Sequence, residues 1–115
     1  MKRTVFMTTY NKKDIILVPF PFSELTYAKK RPALVLANIP SRDELICMML
    51  TSTKKIDPSV DVPINNLAGT GLPKPTVART SRLFTFKGSL VNKRIGKIDD
   101  SEFKKIVSKV IRLLK

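Results

Sequence analysis

The sequence predicts a small, mainly β fold, an all-β barrel or an α+β arrangement, finished by one C-terminal helix. Three observations lead there. Short apolar runs rich in β-branched residues recur along the chain, separated by proline- and glycine-bearing turns. A helical period appears only after Asp99. At 115 residues, with 43% hydrophobic, the chain has enough apolar material for one core and no more. No repeat, low-complexity tract or linker interrupts it. Residues 1–115 therefore read as a single domain, with 1–9 as a peripheral N-terminal extension.

Asp14-Ile15-Ile16-Leu17-Val18-Pro19-Phe20 reads as the first strand, covered on both faces, with Pro19 and Pro21 ending it or placing it at a sheet edge. Ser23 to Arg31 is polar and basic, carries Tyr27, and reads as an exposed loop. Pro32 to Ala37 restarts an apolar strand, and Ile39 to Glu44 is a connection. Leu45 to Thr51 makes a third strand that contains Cys47 as a core residue and ends in the hydroxyl triplet Thr51-Ser52-Thr53. Val60 to Ile64 alternates as a half-buried strand should, and Asn65 to Pro75 is turn chemistry. Thr76 to Phe86 reads as one long strand or two short ones, and Ile95 to Ile98 as the last. Phe103, Ile106, Val107, Val110, Ile111 and Leu114 then share one helical face. Asp99 or Asp100 supplies the N-cap, and Glu102 has the spacing of a capping box to Asp99. Lys109, Arg112 and Lys115 suit the helix's negative end. This helix is expected to cover the open end of the barrel.

Lys and Arg number 22 against 9 Asp and Glu, a net charge of +13. Such an excess points to a nucleic-acid partner, with an acidic protein partner or a merely solubilising surface as alternatives. With six Phe, two Tyr and no Trp, a base-stacking platform is poorly supported, and contacts to a phosphate backbone fit better. Histidine is absent and Cys47 is the single cysteine, which excludes zinc fingers, Cys–His nucleophiles and Ser–His–Asp triads. Asp57 and Asp61 are four apart with a proline between them, a poor two-metal site. No metal or other cofactor is expected. No apolar run approaches the ~20 residues of a membrane span, and the start lacks the ~7–15-residue apolar stretch of a signal peptide. A cytoplasmic domain with no membrane partner is expected.

What remains for chemistry is cations and hydroxyls at strand ends. Arg31 closes the basic run Lys29-Lys30-Arg31, Thr51 and Ser52 end the third strand with Lys54 just beyond, and Arg79 and Arg82 flank Thr80 and Ser81. A guanidinium can hold the oxygens of a pentacoordinate phosphorane while a hydroxyl donates to another. The plainer alternative pairs Arg31 with an acidic neighbour and makes Thr51 an ordinary β-former.

Four stretches in order carry a resemblance. Lys13 to Phe22 is similar to the opening G-D-I-V-L-V-P-F-P-F of the MazF/PemK-like ribonuclease toxins, and Arg31-Pro32-Ala33-Leu34-Val35-Leu36 to their R-P-A-L-V-L strand. Leu50-Thr51-Ser52 resembles their I-T-S. Val77 to Thr85, with Arg94-Ile95-Gly96-Lys97-Ile98, resembles the region that bears a further arginine and the turn before the last helix. The match runs from about residue 12 to 114 and departs from the pattern at Lys13, where the family has glycine.

The resemblance implies an SH3-like, PemK-type barrel that forms a homodimer, with single-stranded RNA in a groove near the dimer interface. It implies a sequence-specific, metal-independent endoribonuclease in which a 2′-hydroxyl attacks the neighbouring phosphate, and an acidic antitoxin protein as the neutralising partner. By the same resemblance Arg31 and Thr51 carry the reaction, Ser52 supports it, and Arg82 contacts RNA or the fold. Lys29, Lys30, Lys54 and Arg79 are added as RNA contacts on charge. The other reading is a non-catalytic barrel binding nucleic acid or protein through the same basic face.

Overall fold

In the computed structural model, which describes residues 9–20 and 29–115, the apolar runs become strands β1 (Asp14–Phe20), β2 (Lys29–Ile39), β3 (Glu44–Thr51), β4 (Asp61–Pro63), β5 (Val77–Lys87) and β6 (Lys93–Lys97), followed by helix α1 (Asp100–Leu114). They build one antiparallel sheet in the order β4-β5-β3-β2-β1-β6. Both faces are covered. Ile15 and Ile16, neighbours that point opposite ways, are each fully buried in a different apolar cluster. One cluster gathers Ile15, Leu34, Met48, Leu50 and Ala78 under Phe103 and Ile106 of α1. The other holds Tyr10, Ile16, Val18, Val35, Cys47 and Phe86.

The two sheet edges are joined through the loop between β4 and β5. Its Gly69 carbonyl accepts from the amide of Lys97, the last residue of β6, at 2.9 Å. The contact is backbone on backbone. Gly71 stands at φ 74, and a Cβ there would meet the Ile95 carbonyl; a Cβ on Gly96 would run into Thr70 and the Gly69 carbonyl. Only glycine lets the chains approach so closely.

Three local expectations change. β2 begins at Lys29, so Lys29 to Arg31 belong to a strand paired with Phe20, Pro19 and Val18, because β1 extends the ladder past Pro32. The rest of the expected loop, with Ser23 and Tyr27, lies outside the described residues, as do residues 1–8. Asp99 is the N-cap, accepting from the Ser101 amide at 3.4 Å and its hydroxyl at 2.8 Å. Glu102, however, is buried and accepts from the Asn65 amide at 3.2 Å, tying α1 to the loop after β4 in place of a capping box. The last turns of the apolar face are not docked: Ile111 is 48% and Leu114 78% exposed. Thr76 to Phe86 resolves as one strand, β5, which carries a large irregularity.

Lys13 stands at φ 81, in the left-handed region that glycine occupies freely. Its amide donates to Val35 O at 2.9 Å and its carbonyl accepts from the Ile98 amide at 2.8 Å, so the conformation is pinned from both sides. Its ammonium reaches Asp100 at 3.0 Å. That contact and Lys104 hold the Asp100 carboxyl below its usual range. Lys13→Gly should be more stable than Lys13→Ala by about 1–2 kcal/mol, since both lose the ion pair and only glycine relieves the backbone. Denaturant midpoints of the two variants check this.

Burial pushes the Cys47 thiol up to about 12. In the unfolded chain it titrates near the ordinary value of about 8.5. Below that pH both states are protonated and Cys47 adds no pH dependence. Above it the unfolded state loses its proton first, so stability falls with rising pH by up to ~1.4 kcal/mol per unit until the folded thiol titrates. The excess alkaline slope of wild type over Cys47→Val, read from denaturant titrations between pH 8 and 10, should show it. Ellman's reagent should label the thiol only on unfolding.

Candidate active site

β3 is the strand on which the site is assembled. Against β2 its register pairs Ala33 with Met49 and Leu34 with Met48. Carried two residues further, that register sets Arg31 across from Thr51 on the same face of the sheet. Against β5, Leu50 pairs with Ala78 and Met48 with Leu83. Four residues of β5, Arg79 to Arg82, therefore stand against the single residue Met49. Such a bulge bends the strand and re-aims its side chains. It is anchored by Thr80, which is buried and gives both its amide and its hydroxyl to the Val60 carbonyl.

The result is a concavity of about 290 Å³ lined by Arg31, Met49, Leu50, Thr51, Thr53, Arg79 and Arg82. A second, of about 170 Å³, shares Arg31, Leu50 and Thr51 with it and is walled by Pro32, Ser52, Leu72, Pro73, Lys74 and Thr76. Arg31 and Thr51 thus stand at the rim common to both. Of the residues singled out by sequence, Arg31, Thr51, Ser52, Arg79 and Arg82 come together here. Lys29, Lys30 and Lys54 are exposed and line neither concavity. The sequence reading missed the wall from Leu72 to Thr76. Its only signal was a lysine, Lys74, among the glycines and prolines of a turn.

Charge is separated across the molecule. Among the described residues, the ion pairs are Lys13 and Lys104 with Asp100, Arg42 with Glu44, Arg94 with Asp14 and Lys105 with Glu102. Arg31, Arg79 and Arg82 take part in none of them. Among the described residues, then, no carboxylate forms an ion pair with Arg31. Among the described residues no carboxylate lines either concavity. Three guanidiniums and two hydroxyls around an open hollow suit an anion with several oxygens, as a phosphodiester is. With no carboxylate, histidine or thiol among them, the described lining residues offer a divalent cation no anionic ligand. Among the described residues no group of three or more His, Cys, Asp or Glu stands close enough to hold a metal, and no helix is long and apolar enough to cross a membrane.

Solved structures share this architecture at low identity. A mycobacterial endoribonuclease in complex with its cognate antitoxin superposes with a TM-score of 0.71 at 14% identity, over 92% of this chain and 95% of that one. MazF from Deinococcus radiodurans gives 0.72 at 16%, over 93% and 97%. The toxin MazF-mt6 of Mycobacterium tuberculosis gives 0.67 at 18%, over 88% and 95%. No curated protein matches by sequence. The mainly β architecture with its C-terminal helix matches these folds, and a family pattern matches residues 11–114, from the turn before β1 to the end of α1. On that match the chain belongs to the PemK-like, MazF-like toxins of type II toxin–antitoxin systems.

Proposed function

We propose that the protein is an endoribonuclease toxin that cuts single-stranded RNA at preferred sequences without a metal. The observation that carries this reading is the meeting of Arg31 and Thr51 on the rim between two hollows, with Arg79 and Arg82 beside them. A phosphate seated on that rim has room for a nucleoside on either side. In the reaction the 2′-oxygen bonds to phosphorus and the bond to the 5′-oxygen breaks. The 2′-hydroxyl proton passes to water and the leaving 5′-oxygen takes one up, giving a 2′,3′-cyclic phosphate and a 5′-hydroxyl end. A guanidinium is a poor general base, so the part of Arg31 is to stabilise the charge that builds on the phosphorane oxygens and the leaving group. Thr51 donates to a non-bridging oxygen, with Ser52 beside it. Arg82, Lys29, Lys30 and Lys54 follow the RNA backbone.

An acidic antitoxin segment is the second partner, competing with RNA for the same unpaired cations in the cytoplasm. A second copy of the chain is the third. Leu83, Leu113 and Leu114, 42%, 44% and 78% exposed, border an open hollow of about 370 Å³ that also reaches Val60 and Val110. Contiguous apolar surface of this kind supports self-association. Light scattering should give twice the 13.0 kDa of one chain; a monomer at micromolar concentration would remove this part of the reading.

Incubated with long single-stranded RNA in EDTA, the wild type should give discrete fragments with cyclic-phosphate and 5′-hydroxyl ends. Arg31→Ala should cut on the order of 10²–10³-fold more slowly, and Thr51→Ala should lose less. Intact but retarded RNA, with two unrelated sequences, would instead favour the non-catalytic binding module. Normal cutting by a folded Arg31→Ala would take the reaction away from this residue.

A further inference from the structure

Asp61 opens β4 and is 4% exposed. One oxygen, Oδ2, accepts from the Asp57 amide at 2.9 Å and so closes the turn that leads into the strand. The other, Oδ1, is fully enclosed and has no hydrogen-bond partner. Buried polar atoms left unpaired are uncommon in folded proteins, and a carboxylate oxygen is among the costliest to leave so. The turn does not need it, because Oδ2 already serves the turn.

What stands opposite is Arg79. The β4–β5 register pairs Asp61 with Arg79 directly, which puts the two side chains on one face with their Cβ atoms about 4.5–5.5 Å apart. Arg79 is half-buried and lines the larger concavity with Arg31 and Thr51. Its charge is also felt on the Asp61 side. The Asp57 carboxyl is held below its usual range first by the Ser59 hydroxyl and amide, and further by Arg79 and Lys109. Arg79 thus stands between an orphan carboxylate oxygen and the hollow. A guanidinium has five N–H donors in a rigid fork, enough to bind a carboxylate along one edge and a phosphate oxygen along another.

We infer that Asp61 is a positioning residue, whose Oδ1 takes up one edge of the Arg79 guanidinium and turns the other edge toward an RNA phosphate held beside Arg31 and Thr51. This rests on the reading of the hollow as a phosphodiester-cleaving site. Arg79 and Asp61 are paired across the strands but are not joined by an ion pair. A phosphate drawing the guanidinium into place completes the chain from Asp61 through Arg79 to the substrate. The Asp61 carboxylate also offsets the repulsion among three neighbouring arginines, which take part in no ion pair among the described residues.

The test is a double-mutant cycle on RNA cleavage under single turnover, using Asp61→Asn, Arg79→Ala and the pair, with melting temperatures alongside. Asparagine keeps the size and an acceptor for the Asp57 amide and removes the charge. Asp61→Asn should slow cleavage on the order of 10-fold, the scale of a lost hydrogen bond to a charged group. Added to Arg79→Ala, it should slow cleavage no further, because the residue it positions is gone. Multiplicative losses, or full activity in Asp61→Asn, would overturn the inference. Should Asp61→Asn unfold, Arg79→Lys carries the test. A single ammonium lacks the fork that bridges two partners and should cut as slowly as Arg79→Ala, and wild-type rates there would overturn the proposal. A wild type that leaves RNA intact would instead overturn the ribonuclease reading itself, and this inference with it.

Discussion

β3 is held in two different ways by its neighbours, in plain register by β2 near Thr51 and across a four-residue bulge by β5 at Met49, and the candidate site exists because both hold at once. The first brings Arg31 to Thr51. The second swings Arg79 and Arg82 over the same end of the sheet. A slip of one residue between β2 and β3 would send Arg31 and Thr51 to opposite faces. Such a slip is strongly opposed, since it would also move Leu34 and Met48 out of the cluster beneath α1. The apolar interior thus fixes the positions of the polar groups at its edge.

Electrostatics works in the opposite sense. Three guanidiniums around one hollow repel each other, and the chain pairs its carboxylates elsewhere, on Lys13, Arg42, Arg94, Lys104 and Lys105. The fold tolerates the cluster because its charges are partly solvated and mounted on anchored backbone, with Thr80 tied twice to Val60. A surface arranged so is poised for anions. On the proposed reading RNA and an acidic peptide both suit it, so charge would set the class of partner and the shape of the two hollows would select within it.

Much of this was legible in the sequence, for identifiable reasons. Strands such as Asp14–Phe20 and Glu44–Thr51 are apolar runs bounded by proline or polar residues, and α1 carries a strong period, so local pattern suffices for both. Arg31, Thr51, Ser52, Arg79 and Arg82 were visible as cations and hydroxyls at strand ends, and the ordered motifs joined them. What escaped depends on contacts distant in sequence. Glu102 has the spacing of a capping box and goes instead to Asn65, because burial makes a backbone amide 37 residues away the nearer donor. Ile111 and Leu114 lie on the apolar face, yet both remain exposed, which the period alone does not show. The bulge has no local signature, since only the spacing of Leu50 and Met48 against Ala78 and Leu83 reveals four residues facing one. Asp61 looked like half of a weak carboxylate pair, and its place opposite Arg79 is a fact of strand register.

The backbone contacts of Gly69, Gly71 and Gly96 bear on how this scaffold can diverge. They brace the segment that walls the smaller hollow from behind, main chain against main chain, without using the side chains of Pro73 or Lys74, which are exposed. A wall supported in this way can exchange its outward residues while its course stays fixed. The recognition surface and the fold are therefore under separate constraints, the first open to drift and the second locked at Gly71 and Gly96, two positions that accept no Cβ. A common architecture persisting at 14–18% identity is what such a division would produce.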